Sequence, residues 1–286
     1  MTTSTSPGAA DVSARSGLPT LGPETLRLRA ELEALYLRWA ADFAAVPVQY
    51  PPLLSTADLE SLDYFKNFPQ LAVLGSRIRG DAAEKYSRSG LPGPAVEAAD
   101  LEPAGFALPS AACYSVYLSL RGARLAGPRR ITTVATCFRH ETHYDGLRRL
   151  LGFSMREIVC VGSRADVLEH LARSKRIVTG FLAELGLPVE VQPATDPFFD
   201  RDGARSLMQK LFPVKEEFVF GGDLAIGSVN FHRNFFGERL DIRQDDGEYA
   251  FTGCLAFGVE RWISALTTHF GETPAQLVAR IRSASR

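Results

Sequence analysis

The sequence predicts an α+β fold in which helices pack on one side of an antiparallel sheet. Most strand-like segments after residue 112 follow one another without an intervening helix, which favours antiparallel pairing over a doubly wound sheet. Strongly helical segments open the folded region, occur between the strands and follow the last strand. With 286 residues, 45% of them hydrophobic, the chain can bury a sizeable core.

The first element is a helix over residues 23–44. Leu28, Leu32 and Trp39 recur there at helical spacing, after a proline suited to a first helical turn. Residues 1–22 are rich in small and polar residues and lack the apolar core of a signal peptide, so they are predicted to be a disordered lead-in. One domain is predicted over residues 23–286.

The remaining elements follow from composition. A short strand at Val46 and Val48 is predicted to end at Pro51 and Pro52, and the polar, Ala- and Gly-rich residues 78–103 are predicted to form a surface loop. β-branched and aromatic residues predict eight strands: ACYSVYLSL, ITTVATCFRHE, FSMREIVCVGS, PVEVQPA, EEFVFGG, LAIGSVNFH, ERLDIRQ and AFTGCLAF. Helices are predicted at 164–186 and 258–270, with a short one in TPAQLVARIR.

Charge and cysteine usage narrow the functional class. The 32 basic and 33 acidic residues leave a net charge of -1, which gives no basic excess for broad nucleic-acid binding. The four cysteines are widely spaced without a CxxC pair, so a reducing, cytoplasmic setting is predicted. No apolar run approaches the ~20 residues that span a bilayer, so no membrane partner is expected.

The stretch CFRHETHYDGLRRLLGFSMRE, residues 137–157, predicts a hairpin with a nucleotide site. Arg139 and Glu141 are two residues apart and would share one face of a strand, as would Phe153 and Met155 on the returning strand. A guanidinium suits a phosphate, and an aromatic face suits a stacked purine.

Three ordered motifs then resemble those of class II aminoacyl-tRNA synthetases. CFRHE with RRLLGF resembles motif 2, FTGCLAFGVERW resembles motif 3, and the first helix with the strand before Pro51 resembles motif 1, the dimer-forming element. Within that class, five stretches are similar to amino acid:[carrier protein] ligases, truncated relatives of atypical archaeal seryl-tRNA synthetases: LPSAACYSVY, FSMREIV, DPFFDR, IGSVNFH and TGCLAFGVERW. The resemblance implies the class II antiparallel sheet, a catalytic domain over 23–286 and a homodimer.

The resemblance assigns the ATP site. It places Arg139 on the α-phosphate as a catalytic group, Phe153 under the adenine, and Arg261 over the other adenine face, reaching the γ-phosphate as the second catalytic group. Three further ATP-site residues are implied: Glu141 near the adenine or the substrate amine, Glu260 beside Arg261, and either Arg148 or Arg149 on the outer phosphates, a choice the sequence leaves open.

The resemblance also implies a zinc site formed by Cys113, Glu157 and Cys254, with a fourth position for the α-amino group of the substrate. Taken without the resemblance, three scattered residues would be read as unrelated, since buried cysteines are usually inert. Cys137 and Cys160 have no matching role and are expected in the core.

Residues for the amino acid and for Mg²⁺ are implied less directly. Ser228, Asn230 and His232 alternate along one strand and could line the substrate pocket, with a polar core role as an equal alternative. Lys215, with Glu217, matches a Lys-x-Glu of the ligases. Ala225 stands where seryl-tRNA synthetases carry a Mg²⁺-binding Glu, and Asp223 lies two residues earlier, so the Mg²⁺ ligand stays open.

The implied activity is ATP- and Mg²⁺-dependent activation of a small amino acid to an aminoacyl-adenylate, then transfer to the phosphopantetheine thiol of a carrier protein. No tRNA partner is expected, because at ~1.5 Å per helical residue the lead-in is too short for a two-helix arm. Two alternatives stay open: a tRNA-charging core that needs a separate tRNA-binding protein, and a non-catalytic amino-acid-sensing or scaffold paralogue.

Overall fold

The computed structural model describes residues 12–13, 17–200, 202–203, 207, 209, 211 and 214–285. Its centre is a sheet of seven strands: β3 (Val46–Pro47), β8 (Arg129–Phe138), β9 (Gly152–Gly162), β10 (Val189–Ala194), β11 (Lys215–Phe220), β12 (Leu224–Arg233) and β14 (Phe251–Gly258). They lie in the order β10-β11-β12-β14-β9-β8-β3, and all neighbours pair antiparallel except β3, which pairs in parallel with β8.

Four long helices cover one face of this sheet, which we call the reverse face. They are α1 (Pro23–Asp42), α6 (Arg164–Leu185), α8 (Val259–Phe270) and α9 (Pro274–Ala284). Their apolar residues, such as Leu28 and Trp262, pack with Ile158 and Phe257 of the sheet in the largest buried cluster. These helices agree closely with the sequence prediction because each buries an apolar stripe at helical spacing.

Shorter elements lie on the opposite face, which we call the front face. They are α2 (Thr56–Ser61), α3 (Tyr64–Asn67), α5 (Cys113–Ser119) and α7 (Phe235–Leu240). Two small sheets accompany them, formed by β4 (Leu54–Ser55), β5 (Val73–Gly75) and β6 (Phe106–Leu108), and by β7 (Arg124–Leu125) with β13 (Arg243–Gln244). Val159 and Cys254 of the sheet join Val116 and Phe236 in the core of this side.

Three sequence predictions about elements are wrong. ACYSVYLSL forms α5 rather than a strand, because Cys113, Val116 and Tyr117 bury a helical stripe against the sheet. ERLDIRQ divides between the end of α7 and β13. The expected loop at 78–103 contains α4 (Gly80–Ser89), a mostly exposed helix in which only Ala82 is buried.

The beginning of the described chain also contacts the domain. Leu18–Pro19 (β2) pairs with Val12–Ser13 (β1), and the Gly17 carbonyl accepts a hydrogen bond from Leu151 N at 2.9 Å. The lead-in predicted to be disordered comprises residues 1–22. Residues 1–11 and 14–16 of it lie outside the described residues, as does Arg201 of DPFFDR, whereas residues 17–22 are described and contain β2. No helix within the described ranges is long and apolar enough to cross a membrane.

Candidate active site

The register of the sheet gathers distant residues on the front face. Lys215, Asn230 and Cys254 occupy one row across β11, β12 and β14. The next row runs through four strands and contains Glu217, Ser228, Ala256 and Glu157. Directly paired residues project to the same side of an antiparallel sheet, so polar groups from about 100 residues of sequence meet in one patch.

The three residues of the implied zinc site come together in this patch. Cys113 comes from α5, Glu157 from β9 and Cys254 from β14; all are buried, and their ligand atoms lie within 4.8 Å of one another. The backbone N–H groups of Ala112 and Cys113 donate to Glu157 Oε1 at 2.9 and 3.1 Å. Glu157 Oε2 is buried without a hydrogen-bond partner among the described residues.

The chemistry of the triad fits a divalent cation. The Cys254 thiol lowers the pKa of Cys113, but burial and the Glu157 carboxylate outweigh it and raise that pKa to about 11. A hydrogen bond with the free thiol of Cys113, together with burial, raises the pKa of Cys254 well above its usual range. Both thiols are therefore neutral until a cation displaces their protons. Two sulfurs and an orphaned carboxylate oxygen suit tetrahedral coordination with one position left for a substrate.

The residues of the implied ATP site line a small cavity beside this patch. Its wall includes Phe153 and Met155 of β9, and Gly258 at the start of the motif 3 segment. Six of the seven proposed ATP-site residues border it, namely Arg139, Glu141, Arg148, Phe153, Glu260 and Arg261. The hairpin predicted from residues 137–157 therefore forms, and its two strands pair from Arg129 with Val161 to Phe138 with Gly152.

Arg139 and Glu141 lie just beyond the strand that was predicted to carry them, because β8 ends at Phe138. Arg139 Nε donates to the Ser110 carbonyl at 3.0 Å, and its guanidinium carbon lies 5.2 Å from the centroid of the Phe153 ring. The Glu141 carboxylate pairs with Arg149 Nη1 at 2.9 Å. Arg139 thus occupies the aromatic face that was expected to receive a purine.

The structure separates the two arginines that the sequence left open. Arg148 lines the cavity and binds both oxygens of Asp223 at 2.8 Å, whereas Arg149 forms the pair with Glu141 at its edge. Asp223, one of the residues considered for Mg²⁺, is thereby an ion-pair partner of Arg148. The Arg148 carbonyl in turn accepts a hydrogen bond from Arg261 Nε at 2.9 Å.

Arg261 and Glu260 point in different directions from the first turn of α8. Arg261 reaches over the cavity, where Nη1 donates to the Ala225 carbonyl at 3.0 Å, and burial together with Arg139 lowers its pKa. The Glu260 carboxylate accepts from Ser154 N at 2.8 Å, and burial raises its pKa. Glu260 therefore ties α8 to β9 at the border of the cavity.

A larger cavity of about 510 Å³ adjoins the first and contains the triad. Both cavities are lined by Arg139, Met155, Lys215, Ser228 and Ala256, so two cations mark the place where they meet. Asn230 Nδ2 donates to Ser228 Oγ at 3.0 Å and to Cys254 Sγ at 3.4 Å. Ser228, Asn230 and His232 all line the larger cavity. Phe231 and Arg233 line it as well, and the pairing of β12 with β14 shifts register between these two residues, so strict alternation does not extend to His232.

Sequence reasoning missed Asp196 and two tyrosines of this cavity. Asp196 Oδ1 lies 3.3 Å from Lys215 Nζ, and Gln209 Nε2 donates to Asp196 Oδ2 at 3.0 Å. Lys215 also pairs with Glu217 at 3.1 Å, and these two carboxylates outweigh burial and raise its pKa. Asp196 begins the stretch DPFFDR, whose similarity to the ligases could have indicated it. Tyr64 and Tyr114 reach the cavity only through the packing of α3 against α5.

The fold and the site together define a class II synthetase core, with an arginine- and phenylalanine-lined cavity opening into a cysteine-containing one. Comparison with known proteins agrees. Residues 109–270 match the family model for the tRNA synthetase class II core domain (G, H, P, S and T). A crystal structure of M. kandleri SerRS with A. aeolicus tRNASec has a TM-score of 0.83 at 18% identity and covers 96% of this chain. This chain spans 58% of that one, and the likeness shows the fold alone.

Two relatives from Bradyrhizobium diazoefficiens are more similar in sequence. They are named Amino acid--[acyl-carrier-protein] ligase 1 and 2, and are 35% and 34% identical over 248 and 241 residues. The alignments cover 82% and 80% of this chain and 74% and 71% of the relatives. The chain therefore belongs to the class II tRNA synthetase core family and, within it, to the amino acid--[acyl-carrier-protein] ligases. The predicted fold class and family are confirmed.

Proposed function

We propose that this protein uses ATP to convert a small amino acid to an aminoacyl-adenylate, with release of pyrophosphate. The phosphopantetheine thiol of a carrier protein then attacks the acyl carbon, the acyl–phosphate bond breaks, and AMP leaves as the thioester forms. One observation carries the proposal: Arg139 and Lys215 stand where an ATP-type cavity opens into a cavity that holds the Cys113, Glu157 and Cys254 triad. The names of the two Bradyrhizobium relatives support it.

ATP enters the smaller cavity with its adenine on Phe153 and Arg261 on the other face of the ring. The Arg139 guanidinium, which lies 5.2 Å from the Phe153 ring centroid, moves off that ring and binds the α-phosphate. Arg148 exchanges Asp223 for the outer phosphates, with Mg²⁺ accompanying the nucleotide. The carboxylate of the amino acid attacks the α-phosphorus in line, and pyrophosphate leaves.

The amino acid lies in the larger cavity with its amine toward the triad. Cys113, Glu157 and Cys254 would hold Zn²⁺, which, when bound, supplies a Lewis-acid position that selects a free amine. Lys215, Ser228 and Asn230 line the adjoining wall and orient the carboxylate toward Arg139. The 510 Å³ volume exceeds the needs of a small amino acid and leaves room for the thiol arm.

A homodimer formed through α1 and β3 completes the proposal. These elements expose apolar side chains, with Leu26 46%, Leu37 40% and Val46 59% accessible in the single chain. We propose that a second copy of the chain covers these side chains, because α1 and β3 resemble motif 1, which forms the dimer in class II synthetases. The cytoplasm is the proposed compartment, and the four free, buried cysteines support a reducing environment.

The decisive experiment is amino-acid-dependent exchange of pyrophosphate into ATP, measured over all amino acids before and after chelation of zinc. We expect exchange with one or a few small amino acids and its loss after chelation. Incubation of the productive amino acid with a holo carrier protein should then yield a thioester. An absence of exchange with every amino acid contradicts the proposal.

The same assay separates the alternatives. If the protein catalyses pyrophosphate exchange but transfers the labelled amino acid to tRNA and not to the holo carrier protein, it is a tRNA-charging core. Calorimetric binding of an amino acid without exchange would assign a sensor or scaffold.

A further inference from the structure

Strand β9 carries the site on one face and a second polar system on the other. Phe153, Met155 and Glu157 face the two cavities. Side chains alternate along a strand, so Ser154 and Arg156 project to the reverse face, toward α1. Whatever holds Ser154 and Arg156 therefore also sets the position of the site residues between and beside them.

Helix α1 contacts these two residues one helical turn apart. Arg29 Nη2 donates to Ser154 Oγ at 3.2 Å. Arg156 Nε and Nη2 donate to Glu33 Oε2 at 2.9 and 2.7 Å. Four residues of helix advance ~6 Å and two residues of strand advance ~6.8 Å, so α1 can lie along β9 and make both contacts in register.

Ser154 also connects α1 to the arginine that closes the small cavity. Its backbone N–H donates to Glu260 Oε2 at 2.8 Å, and Glu260 precedes Arg261 in the first turn of α8. The positive charge of Arg29 partly opposes the rise in the Glu260 pKa that burial causes. A continuous polar chain thus runs from Arg29 through Ser154 to Glu260.

We infer that Arg29 is a positioning residue of the ATP site: by holding Ser154 from the reverse face, it maintains the separation between Phe153 and Arg261 that an adenine ring requires. Arg29 lines neither cavity, so its effect passes through Ser154. This inference rests on the proposed ATP-dependent function. It extends that function to a helix whose sequence carries no ATP-binding motif.

The test is calorimetric titration of the full-length, zinc-loaded protein with ATP and, separately, with the productive amino acid. For Arg29→Met we expect the Kd for ATP to rise about fivefold, because Ser154 loses the donor that holds it and the gap between Phe153 and Arg261 is no longer fixed before ATP binds. The Kd for the amino acid should stay unchanged. Ser154→Ala, which keeps the backbone bond to Glu260, should match Arg29→Met, and the double variant should bind ATP no more weakly than either single variant.

Two further variants control for charge and for folding. Arg29→Lys keeps a cationic donor and should restore most of the affinity for ATP. Arg27→Met removes an exposed arginine of the same helix, paired with Glu24 at 2.6 Å, and should bind ATP like the wild type.

Each outcome decides the inference. Wild-type affinity for ATP in both Arg29→Met and Ser154→Ala overturns it. Equal weakening of ATP and amino-acid binding, not restored by Arg29→Lys, shows a general packing defect and overturns it as well. A wild-type protein that binds no ATP refutes the proposed function itself, and the inference falls with it.

Discussion

The substitution Arg139→Met tests the proposed chemistry most directly. Arg139 is half-buried where the two cavities meet, and its polar contact is the Ser110 carbonyl at 3.0 Å. Among the residues that the structure describes, no carboxylate forms an ion pair with it, so its charge is available to a phosphate. Methionine retains much of the side-chain bulk and removes the charge.

The size of the effect follows from the location. A guanidinium about 4 Å from a phosphate charge, at an effective dielectric constant of about 20, contributes about 4 kcal/mol. If that interaction is made mainly in the transition state, its loss lowers kcat/KM for ATP about 1,000-fold. Arg139→Lys keeps the charge but loses the planar pair of donors, and we expect a loss of about tenfold.

The assay is pyrophosphate exchange at saturating amino acid and zinc. Arg88→Met is the control, because Arg88 is an exposed arginine of α4 paired with Glu84 at 3.5 Å, and it should leave exchange unchanged. A loss smaller than tenfold in Arg139→Met, with amino-acid binding intact, would refute the assignment of Arg139 to the α-phosphate.

Three further predictions address the metal, the core and the substrate. Cys254→Ser should lose bound zinc in elemental analysis and lower exchange by more than about 100-fold. Burial lowers the pKa of His170 to about 4. In the unfolded chain the pKa of His170 is about 6.5, so the unfolded state binds more protons than the folded state between the two pKa values. We expect His170 to lower the free energy of unfolding by about 2 kcal/mol as the pH falls from 7.5 to 5. Urea unfolding of the wild type and of His170→Gln measures this difference. Lys215→Met should raise the KM for the amino acid about tenfold while leaving the KM for ATP nearly unchanged.

Matched controls exist for each of these. Cys160→Ser replaces another buried cysteine of the sheet and should keep zinc; equal zinc content in Cys254→Ser would contradict the metal assignment. Parallel pH dependence of wild type and His170→Gln would contradict the buried neutral histidine. Lys175→Met breaks a pair with Glu216 at 2.9 Å outside both cavities and should not change the KM for the amino acid, so the same rise in both lysine variants would remove Lys215 from the substrate site.

Local pattern was sufficient for much of the fold. The helices α1, α6 and α8 each repeat apolar residues with a helical period, and the long strands are rich in β-branched and aromatic residues. Both kinds of element can therefore be predicted from short segments of sequence. The seven-residue α5 was misread, because its aromatic and β-branched residues favour a strand. Packing of Val116 and Tyr117 against the front face overrode that preference.

Ordered motifs predicted the family and the candidate site residues from equally short segments. Arg139, Phe153 and Arg261 stood in recognisable segments, and each borders the small cavity. Which of Arg148 and Arg149 lines that cavity depended on the path of the loop between β8 and β9, which no spacing specifies. The alignment of Arg29 with Ser154, 125 residues away in sequence, was equally invisible.

By itself, then, the sequence determined the family, the α+β class and the identity of most candidate site residues. The motifs and periodicities that predict them involve residues that are close together in the chain. Only the tertiary structure decided that the ligand atoms of Cys113, Glu157 and Cys254 lie within 4.8 Å of one another, that Asp196 reaches Lys215, and that α1 contacts β9 on the reverse face of the sheet. These proximities arise from the pairing register of strands and the packing of helices on a sheet, which depend on contacts between residues far apart in the chain.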